Sequence, residues 1–226
     1  MNPLVLLHGA LGASSQLQPL AKKLEERGRK VFLLNFSGHS GQEFSKNGFG
    51  IEVFASDLAT LLDTKGLEQA DVFGYSMGGY VTLWLAHLHP NRLGKIVTLG
   101  TKFDWSPESA EKEIRKMNAD KIEEKIPAFA RLLQQRHAPN DWRDVLQKTA
   151  GMMHSLGQKP LLTETVLQKI GPSVRVLLGD QDDMADLSFS KQVAAWLPTA
   201  KFELLPNTPH PIEKADLDML VRLING

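Results

Sequence analysis

The 226-residue chain contains no cysteine, which excludes a disulfide scaffold, Cys-ligated zinc, an iron–sulfur cluster and a thiol nucleophile. It has no excess charge of either sign, with 26 Lys and Arg against 26 Asp and Glu. A neutral chain has no global field for a polyanion, so no nucleic-acid partner is expected. No stretch approaches the ~18 uninterrupted apolar residues of a membrane span. The first apolar run, residues 4–7, is too short for a signal-peptide core, and no Lys or Arg precedes it. A cytoplasmic protein without a membrane span is the expectation. No group of His, Asp and Glu has metal-ligand spacing. His87 and His89 fall on different helix faces, so no metal is expected.

What remains is an ordinary globular composition, 42% hydrophobic and 23% charged, at a length that suits one domain with an insertion. Six short apolar runs read as strands: 4–7, 31–35, 71–74, 95–100, 174–179 and 202–205. They are continuous rather than alternating, the pattern of parallel strands buried on both faces. Amphipathic stretches lie between them. Leu17, Leu20, Ala21 and Leu24 share one helical face, as do Ile51, Phe54, Leu58 and Leu62, and at the end of the chain Leu217, Leu220, Val221 and Ile224. The segment from Met77 to about His89 is apolar nearly all round, so it should be a heavily covered helix.

One interval breaks the rhythm. About seventy residues, 102–172, separate the fourth and fifth runs, where a crossover needs roughly twenty to thirty. Its periodicity is helical, which predicts a core of residues 1–101 and 173–226 carrying a helical insertion at 102–172. The core is expected to fold without the insertion.

The third run ends in Gly74-Tyr75-Ser76-Met77-Gly78-Gly79. A G-x-S-x-G between a strand and a helix presents its serine on a tight turn, with the helix N-terminus behind it. Ser76 is therefore the candidate nucleophile. The first run leads into His8-Gly9-Ala10-Leu11-Gly12, a loop that can turn its amides toward Ser76, so the Ala10 and Met77 N–H groups are candidates for an oxyanion hole. His8, inside that turn, reads as a loop-pinning side chain rather than a catalytic one. The fifth run ends Gly179-Asp180-Gln181-Asp182-Asp183, where one carboxylate need face inward. After the sixth run stands His210, between Pro209 and Pro211, completing the chain order Ser, Asp, His.

On these motifs the chain resembles the α/β-hydrolase-fold superfamily, specifically its capped, cytoplasmic, esterase-like serine hydrolases. The His8-Gly9 loop, the Ser76 elbow, the Gly179-x-x-Asp182 turn and the His210 loop match in order and spacing. The resemblance implies an α/β fold with helices on both faces of the sheet, Asp182 as the triad acid, and a cap at 102–172 over the pocket. Asp104, after the fourth run, is the rival acid. Asp182 sits at the tip of a glycine turn directly after its strand and 28 residues before His210, room for one helix and one strand. The antiparallel hairpin that many members place first is missing, so six strands, all parallel, are expected. Asn35 to Gly41 stands where the family often has an aspartate and more glycines, and Pro209 where a glycine is common.

The activity so implied is hydrolysis of an ester, thioester or related small acyl substrate, with no cofactor or metal. A lyase or elimination-type synthase using the triad as a base is the alternative, and a catalytically silent binding protein is a third class. Phe103, Trp105, Phe129, Trp142, Met152 and Met153 are the candidates for the substrate-binding lining.

Overall fold

A computed structural model describes residues 2–226. The elements run β1 (Leu4–Leu7), α1 (Gln18–Glu25), β2 (Val31–Leu34), α2 (Ile51–Thr64), β3 (Ala70–Tyr75), α3 (Met77–Leu88) and β4 (Leu93–Leu99). Five helices follow, α4 (Pro107–Ile114), α5 (Ala119–Lys125), α6 (Pro127–His137), α7 (Trp142–Gln158) and α8 (Glu164–Leu167). The chain closes with β5 (Val174–Gln181), α9 (Leu187–Trp196), β6 (Ala200–Pro209) and α10 (Leu217–Asn225).

The six strands form one sheet in the order β2-β1-β3-β4-β5-β6. Every neighbouring pair is parallel. Chain order reverses around β1, so the loops after β1 and β3 leave the sheet side by side. Such a switch point is where open parallel sheets place their chemistry.

Side chains alternate across the strands. Leu4, Leu6, Phe73 and Val97 meet α1 and α10 through Leu20, Leu24, Leu220 and Val221. Val5, Leu7, Val72 and Ile96 meet α2, α3 and α9 on the other face. Buried on both sides, these strands read as unbroken apolar runs. In α3 nine residues are buried, which accounts for its lack of a polar face.

β5 and β6 run past their apolar stretches. They stay paired to Gln181 and Pro209 after an irregularity beyond Gly179. Backbone pairing continues there with polar side chains, because β6 is an edge strand with one open side. Gly179 permits the approach, since a Cβ there would lie 1.9 Å from the Thr208 carbonyl oxygen. This extension brings the loop bearing Asp182 beside the loop bearing His210.

Three of the five helices between β4 and β5 start at side-chain caps. Ser106, Asn118 and Asp141 accept from the backbone N–H of Ser109, Lys121 and Arg143, the usual satisfaction of first-turn amides. Ile122, Leu133, Trp142, Val145 and Leu146 form a small cluster of their own with Leu11. Met152, Met153, Leu156, Leu162, Leu167 and Ile170 belong instead to the main core. The segment therefore shares buried packing with the main core through α7 and α8.

Candidate active site

Ser76 joins β3 to α3 at φ 52°, ψ −118°, a region that residues with a Cβ occupy only when held there. Its N–H donates to Leu99 O at 2.8 Å, and its carbonyl accepts from Gly79 N at 3.0 Å and Thr101 Oγ1 at 3.0 Å. The flanking glycines are sterically required. A Cβ on Gly74 would stand 2.5 Å from Gly79 Cα, and one on Gly79 would stand 2.1 Å from Thr101 Oγ1.

The loop after β1 passes against this turn, where a Cβ on Gly9 would lie 3.1 Å from Ser76 Cβ. Neither the Ala10 N–H nor the Met77 N–H has a hydrogen-bond acceptor among the described residues. His8 Nδ1 donates to Gly9 O at 2.8 Å, while its Nε2 accepts from Phe36 N at 3.3 Å. It pins the loop at both ends of the ring.

His210 Nδ1 donates to Asp182 Oδ2 at 2.8 Å, with the two side chains 9% and 2% exposed. Asp182 Oδ1 accepts from Met184 N at 2.9 Å and Ala185 N at 3.0 Å. Burial alone would raise the Asp182 carboxyl. The hydrogen bond and charge of His210, with the Ala185 and Met184 amides, hold it below the ordinary carboxylate range. Among the described residues His210 Nε2 has no hydrogen-bond partner, and it forms none with Ser76 Oγ. The acid–imidazole pair lies close to the serine through β4, whose Leu99 carbonyl holds the Ser76 N–H. At the next residue, Gly100, a Cβ would meet Asp182 Oδ2 at 2.9 Å and His210 Nδ1 at 3.2 Å. Tyr75 OH donates to His210 O at 3.1 Å, and burial pushes its hydroxyl well above the ordinary range, so it remains a donor.

The other carboxylates are engaged elsewhere or exposed. Asp104 pairs with Lys102 Nζ at 2.9 Å. Asp180 accepts from Thr208 N at 3.1 Å and so steadies the His210 loop. Asp183 is exposed.

A cavity of about 50 Å³ opens on Ser76, lined by Ala10, Met77, Trp105 and Met153 among others. Phe103, Phe129 and Trp142 are not among the residues lining it. Phe103 is buried in the main core near Tyr80, Trp142 anchors the small helical cluster, and Phe129 packs on that cluster's edge. An aromatic residue on a helix face serves packing as readily as binding, and periodicity does not separate the two. Sequence reasoning missed Tyr80, Met184, Lys102 and Glu113 in the lining. Tyr80 carried a usable signal, standing one helical turn after Ser76 on the same helix face.

The model of the alpha/beta hydrolase fold matches residues 2–120. The chain belongs to the alpha/beta hydrolase fold family. Its six-stranded parallel sheet with helices around it is that fold, and the chain is a hydrolase of the family. It is 28% identical to the "Putative carbamate hydrolase RutD" of Caulobacter segnis, over 88% of this chain and 81% of that protein. It is 25% identical to the sn-1-specific diacylglycerol lipase ABHD11 of Mus musculus, over 92% of this chain and 74% of that one. Among solved structures, the enol-lactonase from Burkholderia xenovorans superposes with a TM-score of 0.79 at 19% identity, covering 100% of this chain and 90% of the other, a likeness of fold. No helix among the described residues is long and apolar enough to cross a membrane.

Proposed function

We propose that this hydrolase cleaves a small ester, thioester or related acyl substrate through Ser76, His210 and Asp182. The observation that carries the reading is the 2.8 Å Asp182–His210 contact, which leaves the imidazole's other nitrogen open beside a strained serine elbow. In this reading Ser76 Oγ attacks the substrate carbonyl as its proton passes to His210 Nε2. Asp182 holds the Nδ1–H tautomer and stabilises the imidazolium. The Ala10 and Met77 N–H groups, free of other acceptors, donate to the oxyanion. His210 then protonates the leaving group, and water, activated by His210, releases the acid and restores Ser76.

Residues 102–172 act as the cap, contributing Trp105, Met152, Met153 and Leu156 to the acyl cavity. This cavity, about 50 Å³, is small. That favours acetyl to butyryl groups over long chains. A series of acyl esters and thioesters from two to twelve carbons, run against the wild type and Ser76→Ala, tests this. Turnover peaking at four carbons or fewer and lost in Ser76→Ala supports the reading. A preference for eight or more carbons contradicts the cavity argument, and unchanged turnover in Ser76→Ala contradicts the mechanism.

A further inference from the structure

Three histidines distant in sequence meet under the loop after β1. His8, His39 and His137 are all fully buried, with ring centroids 5.0 Å apart for His8–His39 and 5.6 Å for His39–His137. His137 ends α6 in the helical insertion. Its Nε2 lies 3.2 Å from Leu11 O, and its Nδ1 lies 3.2 Å from Ser40 N. A carbonyl can only accept and an amide N–H can only donate, so the ring is a neutral Nε2–H tautomer. His8 is wired in the same sense, donating to Gly9 O and accepting from Phe36 N. Each ring thus ties the loop after β1 to the turn after β2.

Leu11 is the residue that needs holding. It sits next to Ala10, at φ 55°, a left-handed conformation unfavourable for a side chain with a Cβ. Its carbonyl accepts from two residues of the insertion, His137 and Arg136, whose Nη1 lies at 2.8 Å. Asn140 secures the facing turn by donating to Gly38 O at 3.1 Å and Gln42 O at 2.7 Å.

We propose that His137 is a positioning residue for the oxyanion hole: as a neutral bridge between Leu11 and Ser40 it sets the direction of the Ala10 N–H. Its protonation releases that loop. The inference rests on the serine-hydrolase reading above.

A second proton on His137 would place Nδ1–H against the Ser40 N–H, and one on His8 would place Nε2–H against the Phe36 N–H. Among the described residues no carboxylate is hydrogen-bonded to any of the three rings to offset the charge. The charged groups around them are Arg136 on α6, Glu213 facing Arg136, and Asp57 on α2, which binds Ser37 N and Oγ at 2.8 Å each. His39 donates from Nδ1 to Ser37 O at 3.2 Å, and its Nε2 is buried without a partner. Burial, with Arg136 adding to it, holds His137 down to about 4; burial, with His137 and Arg136 adding to it, does the same for His8.

The test compares His137→Leu and His137→Gln with the wild type on a short acyl ester. kcat and KM are read at pH 7.5, and kcat/KM from pH 8 down to the lowest pH at which circular dichroism shows folded protein. A displaced oxyanion donor costs at most the ~10²–10³-fold of a deleted one. His137→Leu should therefore lose about 10- to 100-fold in kcat, with KM within about twofold. Glutamine can donate and accept like the imidazole but does not titrate, so His137→Gln should keep kcat within about threefold at pH 7.5. Its acid limb should be shallower than that of the wild type, which falls more than tenfold per pH unit once a second proton adds. A folded His137→Leu with wild-type kcat overturns the proposal, as does an acid limb in His137→Gln that superimposes on the wild type. If His137→Leu does not fold, the glutamine variant decides alone. Fluorophosphonate labelling of wild-type Ser76 is measured first. Its absence removes the serine-hydrolase reading and this inference together, whereas labelling with unaltered His137 variants removes the inference alone.

Discussion

Replacing Asp182 with asparagine keeps the side chain's shape and changes the hydrogen-bond role of one atom. In the native site Oδ1 accepts two backbone amides, Met184 and Ala185, and Oδ2 accepts the His210 Nδ1–H. Asparagine has one oxygen to distribute. Turned toward His210, that oxygen leaves two backbone N–H groups facing an NH₂, at about 1–3 kcal/mol for each unsatisfied donor, or about 2–6 kcal/mol together. Turned toward the backbone, it places the NH₂ against His210 Nδ1, and the imidazole proton moves to Nε2. The second arrangement is the cheaper, and it removes the base. The loss on a wrong histidine tautomer is about 10⁴-fold in kcat, or about 5.5 kcal/mol. Steady-state kinetics on a short acyl ester measure it, with Asp104→Asn, Asp180→Asn and Asp183→Asn as controls expected to lose less than about tenfold. A nearly normal Asp182→Asn beside a crippled Asp104→Asn refutes the reasoning, because it puts the acid after β4.

Three further outcomes are expected. Gly100→Ala combines a left-handed φ of 60° with a Cβ 2.9 Å from Asp182 Oδ2. It should lower Tm by about 2–8 °C, from about 1–2 kcal/mol of backbone strain, and cut kcat/KM more than about tenfold; wild-type kinetics count against the placement of the acid–histidine pair. Stability should fall with pH because His8 and His137, held near 4 in the fold, bind protons near 6.5 when unfolded. The native advantage is complete above about 6.5 and is lost as pH drops toward 4, by about 1.4 kcal/mol per pH unit per proton, or about 3 for the two; urea midpoints unchanged between pH 7.5 and 5 contradict this. Deleting residues 106–168 strips Met152, Met153, Leu156, Leu162 and Leu167 from the main core. At about 1.5–3 kcal/mol each, that rivals the whole stability of a domain, so no soluble folded protein should form, and recovery of a cooperatively melting core contradicts it.

The strands were legible because a parallel sheet covered on both faces demands unbroken apolar runs such as Leu4–Leu7. The far ends of β5 and β6 were not, since their pairing is made by backbone and by the close approach at Gly179. Ser76 stood out because its glycines answer to local sterics, which act within a few residues. Trp142 was ambiguous because an apolar helix face does not say whether it meets a ligand or another helix. The links of His137 to Leu11 and Ser40 span 126 and 97 positions, and nothing in local sequence encodes such a contact. The share of α7 in the main core was hidden for the same reason.

The central claim is that Ser76 is the nucleophile of an acyl-transfer site. It is tested most directly by treating the folded protein with a fluorophosphonate and mapping the adduct by peptide mass spectrometry. A single adduct on Ser76, absent from Ser76→Ala, is the predicted result. An adduct on another residue, or no adduct on a wild-type protein that turns over esters, contradicts it.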